Sequence, residues 1–588
     1  MSNPTDSFFE SKVLGHPSGL FVLFFTEMWE RFSYYGMRSL LVMFFTASLL
    51  DEGWGWPREH ALSLFGSYTA LVYLSTMLGG WFADNKIGYR WAVVVGALLM
   101  TLGHACMAME TAAFIYTGLT LLVFGSGFFK PNMTSIISEM YKFHPEKKDG
   151  AYTIFYMGVN AGAFLGILLC GYLGEMVGWS LGFGLAGIFM FFGLLQFWFA
   201  QGIFGDIGLK PNKEKARLAE SEDERNDKRV PFTTWQNVII ALCVVIGLVW
   251  IINDPVSKIS QNAAGVAQYD LLGFSVLGFA GADFLILTAL ALFLVLLVYR
   301  ITQYSPITRD RLIAVSFFAF LTIFFWAIFE QSPGSLTIFA RDYTSRVLEG
   351  NAANIFKIAN SLMTIIPLGI ITWVLYLLFR QTFGKYALSN ILLALSFVII
   401  WGIALWMLNN QYQAETTEIP ASWFGVLNSL FIITFAPLFS KWWESKYNPS
   451  ANVKYAIGLW LLGLGMAFVA YGARNIVPGA ATASVSIVWL IMVYLFHTLG
   501  ELCISPLGLS YVSKLVPGRM IAFMFGVWYL AIAIGMKTAG KLGESIDAIA
   551  AEHGLSYFFW ILTAVPIVMG IVSILFTPVM KKLMHGVH

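Results

Sequence analysis

The stretch FFTEMWERFSYYGMRSLL, residues 24–41, sets several charged side chains in an apolar run long enough to cross a membrane. An α-helix turns by about 100° per residue, so Glu27, Arg31, Tyr34 and Arg38 share one narrow face. This face cannot contact lipid, because charged groups are costly in hydrocarbon. The segment therefore predicts a transmembrane helix whose polar stripe faces a cavity or another helix. The stripe is either part of a solute pathway or a self-neutralised structural cluster.

The composition extends this interpretation to the whole chain. Of its 588 residues, 58% are hydrophobic and only 12% are charged, whereas soluble domains contain about 25% charged residues. Because so few charges cannot cover a water-facing surface, the sequence predicts an all-α polytopic membrane protein. The net charge of +2 gives no indication of a nucleic-acid partner. The four cysteines lie in apolar runs without metal-ligand spacing, so neither a metal site nor a cofactor is predicted.

Apolar runs of about twenty residues, the length that crosses the hydrocarbon core, occur sixteen times. With the N-terminus in the cytoplasm, the cytoplasmic loops hold 25 of the 36 Lys and Arg residues and the outer loops hold 8. This asymmetry follows the positive-inside rule, and an odd number of spans would reverse every later loop. We therefore predict an even number of spans with both termini in the cytoplasm. The predicted spans are 20–48, 60–83, 91–109, 112–141, 151–173, 180–204, 233–252, 276–299, 312–340, 355–379, 388–408, 422–443, 455–473, 484–512, 520–543 and 557–578.

A charged stretch at 205–229, GDIGLKPNKEKARLAESEDERNDKR, follows the sixth span and divides the chain. Two six-helix halves joined by a long cytoplasmic loop are the architecture of the major facilitator superfamily. The segment GGWFADNKIGYR, residues 79–90, resembles the loop between helices 2 and 3 of that superfamily. We therefore predict a major facilitator superfamily fold, with two six-helix bundles plus extra helices. The predicted domains are an N-terminal bundle at 15–204, a linker with two extra helices at 205–311, and a C-terminal bundle at 312–582 with an inserted hydrophobic hairpin at about 352–410.

Outside the first span, charges inside apolar helices come singly. Lys130 lies in GSGFFKPNM, Glu330 in FFWAIFEQSPG and Glu501 in FHTLGELCISPLG. An isolated charge in such a place changes its protonation state or finds a partner. Lys130 and Glu501 lie in different halves, toward the cytoplasmic ends of their spans. This placement predicts an ion pair between the halves that forms and breaks during transport, with a static pair as the alternative.

Seven ordered motifs make the chain similar to the proton-dependent oligopeptide transporter family, a branch of the major facilitator superfamily. The resemblance runs from about residue 15 to residue 582, and a prokaryotic member is indicated. The motifs, as they stand in this sequence, are EMWERFSYY at 27–35, GFFKPN at 127–132, FYMGVNAG at 155–162, FWAIFEQ at 325–331, WFGVLNSLF at 423–431, LGELCISPLG at 499–508 and Trp528.

The resemblance implies a proton-coupled symporter that imports di- and tripeptides by alternating access, with the peptide termini held by opposite charges on the two bundles. The substrate-binding residues it implies are Arg31, Tyr35, Tyr73, Lys130, Asn160, Trp326, Glu330, Asn428, Ser505 and Trp528. The proton-coupling residues it implies are Glu27, Glu30, Arg31 and Glu330. In the same scheme, Arg38 with Glu330 forms the outer gate and Lys130 with Glu501 forms the inner gate.

Two departures from the family pattern bear on mechanism and topology. Animal members carry a histidine seven residues before the tyrosine that matches Tyr73, and Gly66 occupies that position here. Proton coupling through that imidazole is therefore excluded, and the carboxylates carry it. The pair of spans at 355–379 and 388–408 falls where the family has a short outer loop, so it resembles an inserted hairpin whose role the sequence does not indicate.

The same resemblance leaves one alternative substrate class open, namely nitrate or a peptide-like metabolite. An enzyme is not expected, because the loops carry no acidic or histidine cluster, phosphate-binding loop or metal-ligand spacing. The predicted location is the bacterial inner membrane, as a multi-pass protein. The predicted partners are peptides, protons and the lipid bilayer.

Overall fold

A computed structural model describes residues 11–210, 230–262, 265–516 and 521–586, without the side chains of residues 145–146, 506, 508–514 and 521–523. Residues 211–229 of the predicted cytoplasmic linker lie outside this range. The side chain of Pro506, which belongs to one family motif, lies outside the described part of the chain as well.

Over the described ranges, sixteen helices of at least nineteen residues form the framework, and each coincides with one of the sixteen predicted spans. Fourteen of them are long and apolar enough to cross a membrane. The other two, the first and the fifteenth, carry several charged residues. We number the long helices α1 Ser18–Thr46, α2 Arg58–Phe82, α3 Tyr89–Met107, α4 Ala112–Met140, α5 Pro145–Met176, α6 Trp179–Ala200, α7 Thr234–Ile259, α8 Gly281–Thr302, α9 Pro306–Phe329, α10 Gly350–Thr382, α11 Ala387–Gln413, α12 Val426–Glu444, α13 Ala451–Gly472, α14 Val488–Leu515, α15 Ile521–Glu544 and α16 Leu555–Leu575.

The remaining regular elements in the described residues are short. Helical segments cover Ser335–Ile338, Ile546–His553 and Thr577–Leu583. Short 3₁₀- and π-helical segments lie at Leu49–Asp51, Ala83–Ile87, Gln201–Phe204, Phe339–Tyr343, Ala421–Gly425 and Ala473–Asn475. The described residues also form three antiparallel pairs of two-residue strands. They are β1 Lys12–Val13 with β2 His16–Pro17, β3 Ser275–Val276 with β4 Phe279–Ala280, and β5 Val347–Leu348 with β6 Thr417–Glu418.

The first bundle consists of α1–α6, and within it α1 packs closely against α5. Glycines recur every fourth residue on α5, and a Cβ on Gly162 or Gly166 would lie 2.2 Å from a backbone oxygen of α1, that of Met28 or Phe32 respectively. Small residues at this spacing allow the backbones of membrane helices to approach closely. This close contact fixes the rotation of α1 against α5.

We expect Gly162→Ala to destabilise the folded protein by about 1–3 kcal/mol, the usual effect of forcing extra volume into a packed core. Thermal unfolding of the purified protein in detergent measures the change. Gly369→Ala on α10 is the matched control, because a Cβ there meets no atom within 4 Å. An equal loss of stability in both variants would contradict the close packing of α1 against α5.

The helix ends define two faces of the molecule. We call the side where α1 begins the N-terminal face and the side where α1 ends and α2 begins the distal face. On the N-terminal face, the ring Nδ1 of His16 lies 2.7 Å from the Tyr141 hydroxyl. On the distal face, Arg58 at the start of α2 forms an ion pair of 2.7 Å with Asp342, just beyond α9. The distal loops of the two halves are therefore in contact.

The second bundle consists of α9 and α12–α16. A Cβ on Gly535 of α15 would lie 2.8 Å from the backbone oxygen of Ile323 on α9. On α13, a Cβ on Gly458 would lie 3.0 Å from the backbone oxygen of Gly500 on α14. As in the first bundle, glycines permit the close helix contacts that set the rotation of the helices carrying Glu330 and Glu501.

Four helices stand outside the two bundles. The segment of chain between the two bundles forms α7 and α8, which pack as a pair. Trp235 and Tyr299 contact edge to face, with ring centroids 5.1 Å apart. Within the second half, α10 and α11 form an antiparallel hairpin whose base is closed on the distal face by β5 and β6. This hairpin packs on the first bundle, where Phe397 of α11 contacts the Trp29 ring at a centroid distance of 5.6 Å.

Candidate functional site

The charged stripe of α1 is buried and largely paired within the helix. The guanidinium of Arg31 lies 2.8 Å from Glu27 and 2.6 Å from Glu30. All three side chains are at most 5% exposed. Two carboxylates therefore share one cation here, and the arrangement leaves a net negative charge unless a proton or another cation neutralises it.

Arg38, two turns further along the same stripe, turns toward the other bundle. Its guanidinium forms an ion pair with Glu330, the residue that follows α9. The rings of Tyr34, Tyr35 and Phe65 surround the guanidinium carbon at centroid distances of 5.6–5.8 Å. A cation between aromatic faces in a dry site is favourable. This ion pair joins the two bundles on the distal side of the stripe.

Lys130 lies on α4, and its ammonium faces a ring of α2. The ammonium nitrogen lies 4.2 Å from the centroid of the Tyr73 ring. The adjacent Pro131 has no N–H, so it cannot donate the helical hydrogen bond to the backbone carbonyl of Gly127, four residues earlier. Gly79 of α2 approaches this carbonyl so closely that a Cβ would lie 2.0 Å away. The proline and two glycines thus bring Tyr73 and Lys130 together.

On the second bundle, Glu501 of α14 binds to a residue of its own half. The side-chain amide of Asn428 donates to Glu501 at 2.9 Å and to the Thr498 hydroxyl at 3.1 Å. Among the ion pairs of the described residues, none joins Glu501 to Lys130. The predicted inner gate is therefore not closed in this conformation, and its pairing stays a prediction for another state.

The other predicted site residues occupy the same central region. The amide of Asn160 donates to the Tyr156 backbone oxygen at 2.9 Å, within α5. Trp528 is 5% exposed, and Trp326 contacts the Phe329 ring at a centroid distance of 5.5 Å. The hydroxyl of Ser505 is buried and has no hydrogen-bond partner among the described residues.

The sequence reasoning missed one carboxylate at the contact between the bundles. Glu175, near the end of α5, accepts hydrogen bonds from the backbone N–H groups of Ala421 (2.7 Å) and Ser422 (2.9 Å), just before α12. The nearby Trp423 indole donates to the Leu168 backbone oxygen at 2.8 Å. A carboxylate stabilises a helix N-terminus because free N–H groups and the helix dipole meet there. In the sequence, Glu175 looks like an ordinary residue at a helix end.

Charge is distributed unequally where the two bundles face each other. The first bundle contributes three cations and two carboxylates, Arg31, Arg38, Lys130, Glu27 and Glu30, and the second contributes the carboxylates Glu330 and Glu501. The two facing walls therefore carry net charge of opposite sign. The aromatic side chains between the walls provide apolar surface of the kind that lines most small-molecule sites.

Comparisons with known proteins identify relatives along the full length of the chain. The model of the POT family matches residues 90–252 and 396–561. The chain is 31% identical to the peptide transporter YePEPT of Yersinia enterocolitica, over 97% of this chain and 96% of that one. It is 28% identical to a di-/tripeptide transporter of Lactococcus lactis subsp. cremoris, covering 98% of each. A crystal structure of a POT family transporter in complex with a thioalcohol-conjugated peptide matches with a TM-score of 0.70 and 26% identity, covering 99% of this chain and 100% of that chain.

Proposed function

The chain belongs to the POT family, and on that premise we propose that it is a proton-coupled symporter that imports di- and tripeptides by alternating access. POT family members are transporters and not enzymes, and this chain is a multi-pass membrane protein. Relatives across its full length are named as peptide transporters. The proton coupling and the mode of peptide binding are our inferences from the site.

The observation that carries the proposal is the buried ion pair between Arg38 and Glu330. The two residues lie on different bundles, and their side chains are 9% and 3% exposed. A pair that holds two bundles together must break when the bundles separate. If a proton neutralises Glu330, its attraction for Arg38 is lost, so proton entry and opening of the distal side become one event.

Peptide recognition follows from the unequal charge of the two walls. We propose that Arg31 and Lys130 hold the peptide carboxylate. The peptide amine would be held by Glu330, Asn160 and Asn428. A short peptide has only its two terminal charges in common with other short peptides. A site that binds both ends selects for length and tolerates different side chains, which the aromatic walls accommodate.

The two gates then alternate. With Arg38 and Glu330 paired, the distal side is closed. In the opposite state Lys130 would leave the Tyr73 ring and pair with Glu501, closing the N-terminal face. We propose that Glu27, Glu30 and Arg31 form a second proton-binding group, because two buried carboxylates share the single guanidinium.

We also propose the orientation and the domain limits. The excess of Lys and Arg on its loops assigns the N-terminal face to the cytoplasm of the bacterial inner membrane, with both termini on that side. The two moving units are residues 15–204 and 312–582, with residues 205–311 as the linker.

Uptake into vesicles tests the function. Purified protein in liposomes is expected to accumulate labelled dialanine above the external concentration when the outside is acidic, and only to equilibrate it without a proton gradient. Unlabelled di- and tripeptides should compete, whereas free alanine and nitrate should not.

A proton ionophore is the control, since it should abolish accumulation and leave equilibration intact. Gradient-driven nitrate uptake without dipeptide uptake would favour the alternative substrate class. Dipeptide accumulation that survives the ionophore would contradict proton coupling.

A further inference from the structure

The extra helix α7 contains a proline near its distal end and is bonded to the first bundle there. Pro255 has no N–H, so the backbone oxygen of Ile251, four residues earlier, lacks its helical partner. The hydroxyl of Ser67 on α2 donates to that oxygen at 2.8 Å. The distal end of α7 is therefore bound to α2 through the bond that the proline leaves open.

Asp254, the residue before this proline, is the centre of a buried ion cluster. Its carboxylate accepts a hydrogen bond from the Ser63 hydroxyl of α2 at 2.8 Å. It also forms ion pairs with Lys537 and Lys541 of α15, the latter at 2.5 Å. The carboxylate is thus shared by one helix of the first bundle and one helix of the second.

Two further charges complete what we call the Asp254 cluster, which consists of Asp254, Lys258, Lys537, Lys541 and Glu544. Lys258 of α7 lies 3.1 Å from Asp254 and pairs with Glu544 at the end of α15. Glu544 also lies 3.4 Å from Lys541. Three cations share these two carboxylates, and among the described residues only the exposed Glu59 of α2, 3.9 Å from Lys258, adds a third. Removal of Asp254 therefore leaves the buried Lys537 without its ion-pair partner.

The cluster lies beside a close contact between the backbones of the two bundles. A Cβ on Gly66 of α2 would lie 2.8 Å from the Cα of Gly540 on α15. Lys537 and Lys541 flank Gly540 along α15. The ammonium of Lys537 also donates to the Ser67 hydroxyl at 2.7 Å. Opening of the distal side separates α2 from α15, so it must break some of these bonds.

We propose that Asp254 is a positioning residue that holds the distal side closed, which makes the extra helix pair α7–α8 a part of the distal gate. The inference rests on the proposed alternating-access function. Asp254 neutralises the two lysines that α15 brings against α2, and without it their charges oppose the contact at Gly66 and Gly540. The helices α7 and α8 are then a third component of the distal gate, in addition to the two bundles.

A distance measurement tests this inference without any substrate. Spin labels are placed at Leu50, which is 96% exposed, and at Ala551, in full-length protein whose four native cysteines have been replaced. Both positions lie on the distal face, one in each half. For Asp254→Asn we expect the population with a long distance to rise at least tenfold relative to the parent, which corresponds to about 1.4 kcal/mol.

Asp283→Asn is the matched control, because Asp283 lies on the neighbouring helix α8, at the same face, and is exposed. It should leave the distances unchanged. An Asp254→Asn variant that is folded and has the distance distribution of the parent would overturn the proposal. Dipeptide accumulation by the parent is measured separately, so a failure of the transport assignment is distinguishable from a failure of the gate assignment.

Two more variants keep the test decisive if Asp254→Asn folds poorly. Lys541 is 39% exposed, so Lys541→Gln is a milder change, and weakening the cluster should shift the distances in the same direction by a smaller factor. Lys537→Gln combined with Asp254→Asn removes the uncompensated buried cation and should return the population toward that of the parent. Unchanged distances in Lys541→Gln, or no recovery in the double variant, would contradict the proposal that the charges of the Asp254 cluster hold the distal side closed.

Discussion

Glu330→Gln is expected to abolish the uphill uptake of peptide driven by a proton gradient, while counterflow of peptide continues at a reduced rate. Glutamine resembles the protonated carboxyl group, so Arg38 loses its ionic partner permanently and the distal gate no longer responds to protons. A proton can drive a conformational change only through different affinities for the two states. Without that difference, the internal concentration of peptide should reach about the external concentration and no more.

The comparison of driven uptake with counterflow in the same vesicles is the decisive measurement. Glu349→Gln provides the matched control, because Glu349 is exposed in the distal loop before α10 and should behave like the parent. Retained accumulation in Glu330→Gln would move the coupling site to Glu27 or Glu30. Loss of both activities in well-folded protein would instead indicate that Glu330 binds the peptide amine through its charge.

Lys130→Ala should reduce driven uptake at least about tenfold, because hydrogen bonds to charged groups contribute about 1.5–3 kcal/mol. The variant removes a proposed ligand of the peptide carboxylate and the proposed partner of Glu501. Since the Lys130 ammonium faces the Tyr73 ring and the cavity, we expect the fold to tolerate its loss. Uptake and peptide binding are measured on purified protein in parallel.

Lys142→Ala is the control for this change, because Lys142 follows the same helix and is exposed at the N-terminal face. Glu501→Gln separates the two roles: it should impair alternation between the gates and leave peptide affinity unchanged. Native uptake by Lys130→Ala would show that both roles assigned to this lysine are wrong.

The inserted hairpin of α10 and α11 shows how sequence position and spatial position diverge. It belongs to the second half of the chain, yet the Ser389 hydroxyl donates to the Gln196 backbone oxygen of α6 at 2.8 Å. Near its base, where Arg346 lies 2.9 Å from Glu418, the Phe356 ring of α10 contacts the Trp423 ring just before α12 at a centroid distance of 5.9 Å. The hairpin therefore contacts both bundles. Hydrophobicity along the chain cannot indicate these contacts, because all membrane-spanning helices are similarly hydrophobic.

The sequence by itself was sufficient to predict the helices and the polar stripe of α1. A span needs a minimum length of apolar residues, and the helical period places Glu27, Arg31 and Arg38 on one face in any fold. These are local properties, so one sequence determines them. The fold and family predictions are confirmed by the architecture and by the relatives, whereas the assigned roles of the site residues stay predictions.

Only the tertiary structure decided which charged groups meet. Lys130 faces Tyr73 and not Glu501, Glu175 stabilises the start of a helix from the other bundle, and Asp254 binds two lysines almost 300 residues away. Each choice depends on how far two helices have slid and rotated against each other. That register is set by many small contacts, such as the one between Gly66 and Gly540, and it differs between the states of a transporter. A charge in an apolar run therefore shows that a partner is needed, and the packing of the bundles determines which partner it is.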